Sequence, residues 1–350
     1  MTALFAALHA AILPAVALQP APALEPGHVV RSVLHDAAGN YWFGTWNSGV
    51  YRFDGRDLRR FTTDDGLANN QVRTVLEDAD GTIWFETASG ISRLEGDTIC
   101  TVDDRDYTST DDWRINPGDL WFKADPATGV SDREGAPGVY RHDGTTLRYH
   151  VFPIKADRGS HAAYSVTGID QRGDGRVWVS TYGAVFGFDG KEVIAIDDDA
   201  IGLTADTGFL HARCVFEDST GRLWIGNNGI GVIMRDGDTT VNFTQSHGVG
   251  RRDGRSGSRR ADAMAGDAAP GEPSMHRVFS IGEDRDGNIW FGTVEQGAWR
   301  FDGTSLRQFT GEDGLHTKQV MSIHLDRNGD LWLGGDGVYL FNGTDFERRF

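Results

Sequence analysis

The chain has almost no cysteine: two residues in 350, Cys100 and Cys214, with no metal-type spacing between them. That excludes a disulfide framework and a thiolate zinc site. Basic residues are scarce as well, 34 Lys and Arg against 51 Asp and Glu, for a formal net charge of −17. Non-specific binding to nucleic acid or to anionic lipid needs a basic face, so neither is expected. Past the N-terminus no apolar run approaches the length of a membrane span, and none is expected. Proline is modest at 10 while glycine reaches 46, which fits many tight turns between ordered elements better than disorder. Catalytic signatures are missing too. There is no Gly-x-Ser-x-Gly, no His-Glu-x-x-His and no phosphate-binding glycine loop. "DRDGNIW" and "DADGTIW" open like calcium loops, but a tryptophan strand follows where further ligands belong, so they read as turns. No catalytic residue, metal ligand or cofactor is assigned.

What is present begins with an apolar leader. Residues 3–18, "ALFAALHAAILPAVAL", precede small, proline-rich sequence, with Ala15-Val16-Ala17 in the place of a cleavage site. No Lys or Arg appears before Arg31, a departure from the usual basic start. Residues 1–27 are therefore expected to be a secretory signal and short linker, and the protein to be periplasmic or secreted.

The body of the chain repeats. "DGNIWFGTVEQGAWRFDG" (286–303) and "AGNYWFGTWNSGVYRFDG" (38–55) share eleven of eighteen residues. The shared tryptophan recurs as Trp42, Trp84, Trp121, Trp178, Trp224, Trp290 and Trp332, each with a glycine three residues earlier. Most intervals lie near the 40–45 residues of a propeller blade. Within a repeat, short β-branched and aromatic runs alternate with Gly and Asp turns, as in "VRTVLED", "TIWFET" and "ISRLEG". Twelve and nine residues before the tryptophan the chain is apolar (Val30 and Val33, Val72 and Val75, Val278 and Ile281), which suits a strand packed on both faces. One such sheet cannot bury two apolar faces; a closed ring of seven can. The expected fold is all-β, a seven-bladed β-propeller of four-stranded antiparallel blades over residues 28–350, closing without strand exchange. The tryptophans then belong to the core. The aspartates six residues before five of them (Asp36, Asp78, Asp218, Asp284, Asp326) cap turns. Two departures stand out: a degraded first strand with an insertion at 124–138 in blade 3, and a Gly- and Arg-rich stretch, 248–274, read as a flexible insertion.

"FTTDDGLANNQVRTVLEDADGTIWFETASGISRLEG" (61–96) and "FTGEDGLHTKQVMSIHLDRNGDLWLGGDGVYLFNG" (309–343) resemble the two-component regulator propeller repeat. That pattern runs DGL, Asn-x-Val, Asp-x-x-Gly-x-Leu-Trp-Ile-Gly-Thr and a closing Tyr-Asp-Gly. The resemblance implies a propeller of the kind used as the periplasmic sensory part of hybrid histidine kinases, many of which sense oligosaccharides. It departs in that no kinase core or receiver domain follows Phe350, so a stand-alone propeller is expected. More distantly the chain is similar to propeller lyases that inactivate streptogramins.

A ligand is expected on the face carrying the strand 4–1 and strand 2–3 loops, which vary in length and chemistry while the opposite hairpins are uniform. Fourteen residues before the tryptophans stand His28, Asn70, Tyr164, Leu210, His276 and Lys318, a mostly polar series expected to line the central opening. The strand 2–3 loops add Trp46, Asn47, Tyr182, Asn227, Asn228, Glu295, Gln296 and Asp336. Trp46 lies outside the repeat, and an aromatic plate among amides and carboxylates suits the CH face of a sugar ring. The reading favoured is a monomeric, non-catalytic module that binds an oligosaccharide or protein ligand, linked to two-component signalling. Two alternatives stand beside it. One is a propeller lyase or hydrolase using His28, His276 or a rim carboxylate with a metal. The other is a protein-docking scaffold.

Overall fold

A computed structural model describes residues 24–25, 27–102, 105–106, 116–123, 136–154, 161–171, 176–188, 192–204, 207–250 and 273–350. These residues form seven four-stranded sheets, one per repeat. Blade 1 shows the unit: strands Val30–His35, Tyr41–Thr45, Val50–Phe53 and Leu58–Phe61, paired antiparallel in chain order. Six blades follow this plan. In blade 3 the sheet of Leu120–Lys123, Gly138–His142 and Leu147–Val151 gains its fourth strand from Arg105–Asp106, which pairs in parallel on the outer edge. This two-residue edge pairing is the one departure from the expected antiparallel blades among the described residues, and it falls where the first-strand sequence had lost the repeat. The leader, most of the insertion at 124–138 and all but the ends of 248–274 lie outside the described residues.

The repeat's punctuation has a backbone cause. In the six blades where it is described, the glycine three before the tryptophan has φ between 82° and 92°, the left-handed region that closes the hairpin at no steric cost. Six repeat tryptophans are buried and Trp178 is half-buried. Each packs between its own sheet and the next: Trp42 against Phe85 of blade 2, Trp84 against Phe122 of blade 3, Trp224 against Phe291 of blade 6. The residue two after the tryptophan is small in five blades (Gly44, Ser180, Gly226, Gly292, Gly334), because the next innermost strand presses there. A Cβ on Gly292 would sit 2.6 Å from the Val320 carbonyl oxygen, and one on Gly44 2.9 Å from Val72. The exceptions are Glu86 in blade 2 and Lys123 in blade 3.

Among the described residues no strand is exchanged between blades 7 and 1, and the ring closes chiefly by packing. Leu24, Trp332, Val338 and Phe350 share one buried cluster with Val30, Phe43 and Tyr51. The packed structure thus includes Leu24 rather than starting at residue 28. Polar bonds add to the seam. The Tyr41 hydroxyl donates to Asp326 at 2.5 Å, and the His35 N–H donates to His324 Nε2 at 3.3 Å.

Candidate functional site

The innermost strands surround a cavity of about 880 Å³. Which residues face it follows from a shared irregularity. In blades 1, 2, 4, 5 and 6 the pairing of the first two strands skips one residue, eleven before the tryptophan: Arg31, Arg73, Thr167, Arg213 and Phe279. A bulged residue has no partner across the ladder, so its side chain is re-aimed, here toward the axis. All five line the cavity, as does Met321 at the same position in blade 7.

The cavity therefore takes its character from a series three residues along the chain from the expected one. Tyr164 and Leu210 are buried in core clusters. His28 is half-buried with Nδ1 2.7 Å from the Tyr51 hydroxyl, and His276 is buried with Nδ1 2.7 Å from the Ser274 hydroxyl. The Asn70 side-chain oxygen accepts from the Thr63 N–H, and Lys318 is exposed. None of these six lines the cavity.

Of the strand 2–3 loop residues, Trp46 and Tyr182 reach it. Their loops are braced by the threonine that precedes each. Thr45 Oγ1 donates to the Gly49 carbonyl and accepts from the Ser48 N–H; Thr181 Oγ1 does the same with both backbone groups of Ala184. Trp46 is 44 % exposed and carries the Arg31 guanidinium 4.3 Å above its ring. Tyr182 accepts a hydrogen bond from Arg213 at 3.3 Å. The others surround the rim without lining the cavity. Asn47 accepts from Ser48, Asn228 accepts from Arg277 and Glu295 pairs with Arg277 at 2.5 Å. Gln296 accepts from Gln308, and exposed Asp336 bridges to Val29 across the blade 7–1 seam. Asn227 is fully buried with neither side-chain atom bonded.

Sequence reasoning missed the cationic residues. Arg31, Arg73 and Arg213 line the cavity together with Lys123, whose Nζ stands 3.9 Å from buried Glu86. Burial is the main cause that lowers the Arg31 guanidinium to about 10; the like charges of Arg73 and Arg213 lower it further and Glu86 opposes them. It stays charged at neutral pH. Lys123 is lowered by burial, then raised by Glu86 and lowered again by Arg31 and Arg73. The signal was in the sequence: three arginines at one repeat position, and two charges where other blades need a small residue.

Carboxylates line the cavity farther along the innermost strands, at Asp170, Glu283 and Asp284. Four residues of strand separate Phe279 from Glu283, on the order of 13 Å. These acids are engaged: Asp170 accepts from the Glu217 N–H, Glu283 from Ser219 and Asp284 from the Trp290 indole. Among the described residues no group of three or more His, Cys, Asp or Glu side chains is placed to hold a metal ion. Nor is any helix there long and apolar enough to cross a membrane.

Comparison with known proteins agrees with this architecture. The family model for the two component regulator propeller matches at residues 24–47, 66–85, 209–229, 271–295 and 314–337. No curated protein matches the chain significantly. Among solved structures, the extracellular domain of a one component system from B. thetaiotaomicron aligns at 18% identity over 92% of this chain, with a TM-score of 0.63. A hybrid two component system ectodomain from the same organism aligns at 20% identity over 90%, TM-score 0.60. This chain spans 39% of the length of each. Virginiamycin B lyase from Staphylococcus aureus aligns at 13% identity over 91% of this chain and 93% of its own, TM-score 0.57. At such identities the likeness is one of fold. The chain thus carries five matches to the two component regulator propeller repeat on a ring of seven blades.

Proposed function

We propose that the protein is a non-catalytic recognition module of sensory type, which binds a carbohydrate-like ligand at the variable-loop end of the axial cavity. The observation that carries this reading is the mouth itself. Trp46, an off-repeat indole left 44 % exposed, shares with Tyr182 and the bulged residues an opening of about 880 Å³. Cavities of this size with a few fixed polar groups and an aromatic wall are the usual form of a small-ligand site. The sensory part of the reading draws on the matched repeat and on the ectodomain fold relatives. Export of the chain is part of the same proposal, supported by the apolar leader at 3–18.

The test is a thermal-shift screen of the wild-type chain against an oligosaccharide panel, repeated with Trp46→Ala. A ligand held at this mouth stabilises the wild type by about 2–3 kcal/mol near saturation, and the variant loses most of that. Identical stabilisation of both proteins places the ligand elsewhere. A panel without effect favours the docking-scaffold alternative. The lyase alternative has only the fold likeness in its favour, since His28 and His276 are each held by a local hydroxyl rather than converging on the cavity.

A further inference from the structure

A chain with a net charge of −17 concentrates cations at one end of its cavity. Arg31, Arg73, Arg213 and Lys123 stand there against one nearby carboxylate, Glu86. Arg31 and Arg73 make no hydrogen bond or ion pair through their side chains with any described residue. Burying guanidinium groups beside one another costs free energy unless a counter-charge joins them.

Their mounting points the same way. Arg31 lies over the Trp46 ring, and Arg213 lies between the rings of Tyr182 at 5.0 Å and Phe279 at 4.8 Å. A guanidinium stacked on an aromatic face keeps its N–H edge free for in-plane bonds. Arg213 has one such group to offer: its Nε is buried and has no acceptor. The glutamate is shared: it accepts from the Lys123 backbone at 3.3 Å, faces its ammonium and acts on Arg31, so one carboxylate stands against four cations.

We propose that this end of the cavity is an oxyanion site, in which Arg31, Arg73 and Arg213 with Lys123 hold a carboxylate, sulfate or phosphate group of the ligand. The inference deepens the ligand-binding reading above and rests on it for the location of the mouth. Charge-assisted bonds to planar forks give the site preference for oxyanions over halide, and Trp46 supplies a reporter beside it.

The experiment titrates the intact chain with sodium galacturonate, galactose and sodium sulfate at constant ionic strength, following heat of binding and the part of the tryptophan emission change that Trp46→Phe removes. Galacturonate is expected to bind at least about tenfold tighter than galactose. Arg73→Gln is expected to lower its affinity about tenfold, and Glu86→Gln to raise it several-fold. The second variant separates charge from damage, since a disturbed fold would weaken binding, not tighten it. Galactose binding as well as galacturonate, with Arg73→Gln without effect, overturns the oxyanion site and leaves the carbohydrate reading intact. Sulfate binding that the sugar acid does not improve upon keeps the oxyanion site and removes the carbohydrate reading. No binding by either anion overturns the site.

Discussion

The tryptophan six residues after an aspartate is the smallest unit in which this fold can be tested. Trp42, Trp84, Trp224, Trp290 and Trp332 each donate the indole N–H to that aspartate at 2.7–2.9 Å. The same carboxylate accepts backbone N–H groups of its turn, as Asp284 does from Asp286 and Asn288. The cap was legible in the sequence; the indole bond was not, although the fixed spacing in five repeats signalled it. Blade 4 shows what happens without it. The position six before Trp178 holds Arg172, and Trp178 donates instead to Glu217 of blade 5 at 2.6 Å. Trp290→Phe, in a site with no exposure, is expected to cost about 2–3 kcal/mol of stability through lost packing and a lost charge-assisted bond. Trp178→Phe at its half-buried site is expected to cost about 1 kcal/mol. Urea denaturation of the two variants gives the comparison, and equal losses would contradict it.

At the scale of the strand, alternation alone misleads. Counting back from the tryptophan correctly marks the buried positions at twelve, Val30, Val72 and Val278 among them, as fully buried. It fails one residue further toward the indole, because the bulge turns the next side chain to the axis. A bulge leaves no compositional mark in a single strand, so the axial residues were not recoverable by periodicity. They were recoverable only by asking which repeat position collects arginine. The packing between blades is a stricter constraint than the propensity of either strand. Gly292→Ala would press a methyl group within 2.6 Å of the Val320 carbonyl and 2.1 Å of the Ser280 hydroxyl. It is expected to lower stability by about 2 kcal/mol or more, read from the shift in denaturation midpoint, whereas an unchanged midpoint would mean that the blades slide apart freely.

The whole molecule depends on a seam that no shared strand secures. Polar contacts there include the His324 imidazole, which must be unprotonated at Nε2 to accept the His35 N–H. Burial lowers His324 to about 4, with His35 and Arg327 adding to the effect and Asp326 opposing it. Its folded value lies below its ordinary value of 6.5, so the unfolded chain takes up the proton first as pH falls. The sign follows: stability is full above about 6.5 and declines toward pH 4, by on the order of 3 kcal/mol for this group alone. His324→Asn should flatten that part of the melting-temperature profile. A profile of the same slope in both proteins would show that other groups govern the acid response. The number of blades was legible from the seven tryptophan repeats, and ring closure because two apolar faces per sheet admit few other solutions.

Leu24 and Phe350 end up in the same buried cluster, on either side of that seam. A force applied between them would therefore load packed side chains and the single Val29–Asp336 bridge, with no shared strand ladder among the described residues. The ring would part between its last and first blades, leaving the seven individual sheets intact at the outset.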